Sequence, residues 1–151
     1  MMNALAGYDA ADPACQDQPV PDYTKTLGTP IAGLRIGVCR NHFFDRNHPD
    51  VERAVERAIA DLAAAGAVVS DFQVPLLEYG LGAIFAIELA SSTAYHDVSL
   101  RAGRVSHFQS DVRTLVEIGR LVTAADYLKA EQYRSALMAA LRDVFEKIDV
   151  I

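Results

Sequence analysis

The sequence predicts an α/β fold, and three observations predict it. A β-branched run, LRIGVCR, stands at residues 34–40, and a helix with a marked start and a marked stop follows it. That helix leads directly into a second strand-like run, AVVSDFQVP, at residues 67–75. Two strands joined by one helix through tight connections form a βαβ unit, in which the strands lie parallel across a right-handed crossover. Further helical segments and the beginning of another strand extend the pattern toward a parallel or mixed sheet flanked by helices.

Taken in order, the first segment is a short apolar run, Met1 to Ala6, which leads through Gly7 into chain punctuated by Asp9, Asp12, Pro13, Asp17, Pro19, Pro21, Asp22 and Pro30. No period is sustained there, so residues 1–33 are expected to form an extended surface strap with at most one turn, and residues 34–151 the α/β portion. The strap reads as the middle of a longer polypeptide, with Met1–Ala6 as the end of a helix. Gly33 introduces the strand at 34–40. After the loop NHFFDRNH, Pro49 suits the first helical position, Asp50 and Glu52 favour the first turn, and Gly66 supplies a left-handed stop. Val51, Ala54, Val55, Ala58, Ile59 and Leu62 fall on one stripe of that helix. From Leu76 to about Ala102 the pattern is one helix, apolar nearly all round at Leu81, Ile84, Phe85, Ile87 and Leu89. A helix of that kind needs protein on every side. Ser110 is placed to cap a short helix through Ile118. Thr123 with Asp126 resembles a capping box opening a last helix that carries Ala130, Tyr133, Leu137, Leu141, Val144 and Ile148. Asp149-Val150-Ile151 begins a third strand, which at three residues is shorter than the usual 5–6. Exposed edges are expected at 34–40 and 148–151; together with the apolar helix near 81–89 they favour self-association or poor solubility, and a homodimer is a further expectation.

Composition narrows the function classes. Half the 151 residues are hydrophobic, and 14 Lys and Arg against 20 Asp and Glu leave a net charge of −6 with no basic run. Direct binding of nucleic acid, which needs clustered cations, is not expected. The longest uncharged apolar stretch, Gly80 to Ile87, is too short to span a bilayer. Cys15 and Cys39 are the only cysteines and no cleavable leader precedes them, so free thiols in a reducing cytoplasm are expected.

Candidate chemistry is sparse. No G-x-S-x-G elbow is present, and Ser91 and Ser92 fall mid-helix, where small residues permit close packing. Cys39, His42, Asp45, His48 and Asp50 cluster around one loop, but their spacing matches no paired-ligand pattern, and polar residues beside a helix start cap and turn. Tyr95, His96 and Asp97 point in different directions on a helix. Asp9, Asp12, Asp17 and Asp22 lack the glycine and terminal Glu of a calcium loop and read as turn and cap residues. No phosphate-cradling glycine pattern occurs. No catalytic, cofactor-binding or metal-binding residue is therefore assigned.

The string NALAGYDAADPACQDQPVPDYTKTLGTPIAGLRIGV resembles the segment that follows the Gly/Ser-rich motif of amidase signature enzymes. Asn3, Gly7, Asp9, Asp12, Pro13, Pro21, Tyr23 and Gly33 to Val38 stand in the family's order. LAAAGAVV at 62–69, GRLVTAADYLKAEQYR at 119–134 and KIDVI at 147–151 continue the resemblance over essentially the whole chain. It implies a mixed sheet flanked by helices and hydrolysis of small linear amides through a serine acyl-enzyme. It also implies that the nucleophilic serine, a second serine after a cis peptide and the lysine lie upstream. Lys25, Lys129 and Lys147 stand in other contexts and no G-G-S-S-G-G string exists, so the isolated chain is expected to be inactive. Relatives that draw amide nitrogen from glutamine for transfer RNA charging have an R-R-[IL]-x-x-G step. Here Thr114 and Leu115 occupy the basic pair, with Arg113 one position away, which favours a general amidase over the transamidase component of that machinery. A non-catalytic α/β interaction module is the reading from another class.

Overall fold

A computed structural model describes residues 1–151, the side chain of Val105 excepted. The first helix, α1, covers Met2–Leu5. The strap that follows does not run simply extended. Asn3 donates to Asp22 Oδ1 at 2.7 Å and accepts the Tyr23 amide at 3.0 Å, closing residues 3–23 into a loop. Its turns are set by carboxylates: Asp9 accepts from the Ala11 amide, Asp12 from Ala14 and Asp22 from Thr24, each at 2.9 Å. Local side-chain acceptors of this kind compete with extended backbone, and here they prevail.

Strand β1, Arg35–Cys39, and strand β2, Val68–Phe72, pair in parallel with Arg35 opposite Val68 and Cys39 opposite Phe72. Helix α2, Pro49–Ala64, joins them. His48 caps it, its Nδ1 accepting the Asp50 amide at 3.2 Å. Gly66 ends it at φ +98°, a conformation that favours glycine, and its carbonyl accepts the Gly33 amide at 2.8 Å. The βαβ unit is as the sequence predicts. Arg40 locks it, pairing with Glu56 of α2 and, at 3.0 Å, with Asp71 of β2 while lying over the Phe44 ring.

The segment expected as one helix over 76–102 is three elements: a 3₁₀ turn at Pro75–Tyr79, α3 at Gly80–Tyr95 and α4 at Asp97–Arg101. The Tyr133 hydroxyl donates to the Leu76 carbonyl from the last helix. At the other end His96 leaves helical geometry, its ring packed edge-on against Tyr95 and Phe108 at 4.9 Å each. Gly103, at φ +71°, follows α4. Helix α5 spans Ser110–Ile118, but Ser110 is its first helical residue rather than its cap; Gln109 holds the cap position. Helix α6, Ala124–Phe145, is capped as expected: Thr123 Oγ1 accepts the Asp126 amide at 3.1 Å and donates to the Asp126 carboxylate at 2.6 Å.

Asp149–Ile151 forms one parallel bridge, Val150 to Ile36, rather than a full strand. β1 is therefore flanked on both sides and is not the exposed edge expected at 34–40; the open edges are β2 and residues 149–151. A bidentate pair fixes the bridge. Arg35 Nη2 lies 2.5 Å from Asp149 Oδ1, and the Arg35 amide donates to Asp149 Oδ2 at 2.9 Å. These bonds hold the Asp149 carboxyl down at about 2.

Buried side chains form two groups. Ile36, Val38, Cys39, Val74 and Ile148 surround the sheet, and Leu100, Val116 and Ala130 lie among the helices. Helix α3 meets the turn after α5 so closely that a Cβ on Gly119 would overlap the Leu89 carbonyl and Thr93 Oγ1, and Thr93 donates to the Val116 carbonyl at 2.6 Å. Elsewhere the apolar faces are uncovered: Leu81 is 61% and Ile84 58% exposed, and no residue of α2 is buried.

Candidate functional site

Several of the residues weighed as candidate ligands and nucleophiles have structural partners. Cys39 is buried, its Sγ lies 3.5 Å from Asn41 Oδ1, and burial pushes its thiol up, away from the reactive thiolate. His48 caps α2, Asp50 pairs with Arg53, and Asp45 accepts the His42 amide at 3.1 Å. Among the described residues, no three His, Cys, Asp or Glu side chains gather as a metal site would require. Ser91 and Ser92 lie on α3, and Asp97 pairs with Arg101 at 2.6 Å. His96, expected on a helix surface, is instead half-buried at the α3–α4 junction between two rings. Arg113 pairs with Glu117 at 3.1 Å along α5 and is exposed. Among the described residues, no helix is long and apolar enough to cross a membrane.

What the structure does bring together lies at the carboxyl ends of the two strands. The loop after β1 and the turn after β2 border a cavity of about 670 Å³ lined by Asn41, His42, Asp45, Arg46, Pro75, Glu78 and Leu81. Asn41 joins the two sides: its Nδ2 donates to the Val74 carbonyl at 2.8 Å and its Oδ1 accepts the Val74 amide at 3.0 Å. Val74 is 2% exposed, so this side chain completes the backbone bonding of a closed residue. The loop is braced again by Asn47, whose Nδ2 donates to the Phe43 carbonyl at 2.6 Å. His42 sits at φ +71°, the only non-glycine residue described with positive φ. Sequence reasoning weighs this loop only for metal ligands. The available signal is its position, since loops at the carboxyl ends of parallel strands are where open α/β sheets bind ligands. A second, shallower groove of about 530 Å³ runs between α3 and α6, floored by Gly82, Ala83, Ala86 and Ala130 and edged by Tyr79 and Lys129.

The model of the family described as Amidase matches residues 1–151. An amidase of Pseudomonas putida is 42% identical across the whole chain, which covers 32% of that protein. The A component of the glutamyl-tRNA(Gln) amidotransferase of Geotalea daltonii is 31% identical, again across the whole chain and 36% of its own length. The chain thus spans about a third of the curated relatives it matches. Among solved structures, one of an inhibitor-bound vestigial complex bearing on the origins of an s-triazine catabolic enzyme superposes over 96% of this chain and 31% of its own. Its TM-score is 0.81 and its identity 29%. A bacterial aryl acylamidase of the amidase signature family shares the fold at TM-score 0.77 over 97% of this chain and 31% of its own, with 15% identity.

Proposed function

The chain belongs to the Amidase family, and from that premise we propose that it forms the scaffold-bearing third of an amidase signature hydrolase acting on small amides. In that enzyme a serine oxygen attacks the amide carbon, the carbon–nitrogen bond breaks with a proton delivered to the departing nitrogen, and water then hydrolyses the acyl ester. The serine pair and the lysine are assigned to sequence other than these 151 residues. The observation that carries the reading is the unbroken match of the whole chain to part of a much longer amidase. The uncovered faces of α2 and α3 accord with it, because apolar surface of that extent ordinarily meets further protein. The reading includes a reducing cytoplasm, supported by two free cysteines, and assembly as a homodimer without direct contact to nucleic acid.

The purified 151-residue chain should release no ammonia from aliphatic or aryl amides. Turnover abolished by one substitution within it would overturn the assignment. The coding DNA beside these residues supplies the complementary check: an open frame encoding a lysine and a Gly/Ser-rich string is expected upstream. The glutamine-dependent amidotransferase component is the second reading, favoured by the relative from Geotalea daltonii. Against it, the only arginine near the expected carboxylate clamp, Arg113, is engaged with Glu117. Glutaminase activity of the longer protein separates the two.

A further inference from the structure

The cavity at the crest of the sheet has features that neither packing nor the family match uses. β1 has β2 on one side and Val150 on the other, both parallel, so the chain leaves β1 toward one flank and returns on the opposite one. The cavity lies on the β2 flank, outside the carboxyl ends of β1 and β2, the side of a parallel sheet on which ligands are usually held. The loop that lines it is held by Asn41, Asp45 and Asn47, with His42 in a left-handed conformation. A strained residue kept in place by several bonds is characteristic of ligand-contacting backbone. Arg46 and Glu78 both line this cavity, one after each strand, and Glu78 also borders the groove between α3 and α6. Among the described residues neither belongs to an ion pair, with each other or with any neighbour. Opposite charges lining one cavity without touching are complementary to a ligand that carries both signs. A planar guanidinium takes a carboxylate in bidentate fashion, and a carboxylate takes an ammonium.

We propose that this cavity is a subsite for a zwitterionic small molecule, whose carboxylate Arg46 receives and whose ammonium Glu78 receives, with Leu81 and Pro75 against its methylenes. That the bound molecule is part of the amidase's own substrate rests on the function proposed above; the subsite itself does not.

The test is titration of the 151-residue chain with glycine, β-alanine and 4-aminobutyrate, which differ in the span between charges, and with butyrate and n-butylamine, which carry one charge each. Binding is read from the amide resonances of residues 41–46 and 76–81. At least one zwitterion should bind tenfold or more tightly than either single-charge probe. Arg46→Gln should lower its affinity to that of n-butylamine and Glu78→Gln to that of butyrate, with the remaining resonances unshifted as evidence of an intact fold. Equal affinity for single-charge probes, no saturable shift, or indifference to both substitutions would overturn the subsite. Binding without hydrolysis by the longer enzyme would count against the amidase reading alone, whereas hydrolysis without zwitterion binding would count against the subsite alone.

Discussion

Replacing Asn41 with alanine tests how the loop after β1 is coupled to the turn after β2. Two bonds disappear, of 2.8 and 3.0 Å, and both belong to the backbone of Val74, a residue 2% exposed. If water enters the vacated space, each lost bond is worth roughly 1 kcal/mol, and if it does not, the stranded amide and carbonyl carry a desolvation penalty of about 1–3 kcal/mol each. The expected loss is therefore about 2 kcal/mol with water and nearer 4 without it. At about 1.4 kcal/mol per factor of ten, that is roughly a 30- to 700-fold acceleration of amide exchange at Ile36 and Val38, whose protection depends on the sheet. Asn47→Ala is the control, since it removes one bond to an exposed loop carbonyl. Acceleration below tenfold in Asn41→Ala, or an equal effect in Asn47→Ala, would refute the claim that the Asn41 amide fastens the two strand ends together.

Two further outcomes follow from contacts described above. Gly119→Ala should destabilise the helical layer by about 3 kcal/mol or more, because the added carbon meets the Leu89 carbonyl and Thr93 rather than a side chain free to move. Gly82→Ala, with nothing within 4 Å of the new carbon, should stabilise α3 by about 0.5–1 kcal/mol in the same urea titration; shifts of the same sign and size at both positions would contradict this. The Asp149 clasp should depend on pH in one direction only. Its carboxyl is held at about 2 by Arg35, below the ordinary value near 4, so the stabilisation is complete above roughly pH 4 and lost as pH falls through about 2. Protection of the Gly37 amide, which donates to the Val150 carbonyl, should fade over that window and become independent of pH there in Asp149→Asn.

The parts of this fold legible in the sequence are those whose causes lie within one turn or one loop. Pro49, the first-turn acids and Gly66 bound α2 because each acts on its own backbone, and Thr123 with Asp126 marks the start of α6 for the same reason. The larger errors have distant causes. The helix expected over 76–102 divides where Tyr133, 57 residues away, engages the Leu76 carbonyl and where Phe108 packs on His96. The edge expected at 34–40 is covered because Arg35 meets Asp149, 114 residues on, a pairing that no local period can announce. Ser110 is a plausible cap by residue type, yet the helix starts one residue earlier than a serine cap requires, at the price of a Gln109 side chain that caps nothing. At the crest cavity, the loop residues are visible in the sequence but their partner Val74 is not, since a backbone group has no sequence signature.

The two flanks of β1 also differ in when they can form. Its pairing with β2 needs nothing beyond Phe72, whereas the bridge from Ile36 to Val150 waits for α3 to α6 to be made. At roughly 5–20 residues per second, one side of β1 stays unpaired on the ribosome for about 4–16 s while the largely apolar α3 emerges beside it. The nascent chain thus passes through an interval in which an open strand and an uncovered helix are presented together. Arg35, waiting at the head of that strand, gives the late-arriving Asp149 a charged landmark that sets the register of the final bridge.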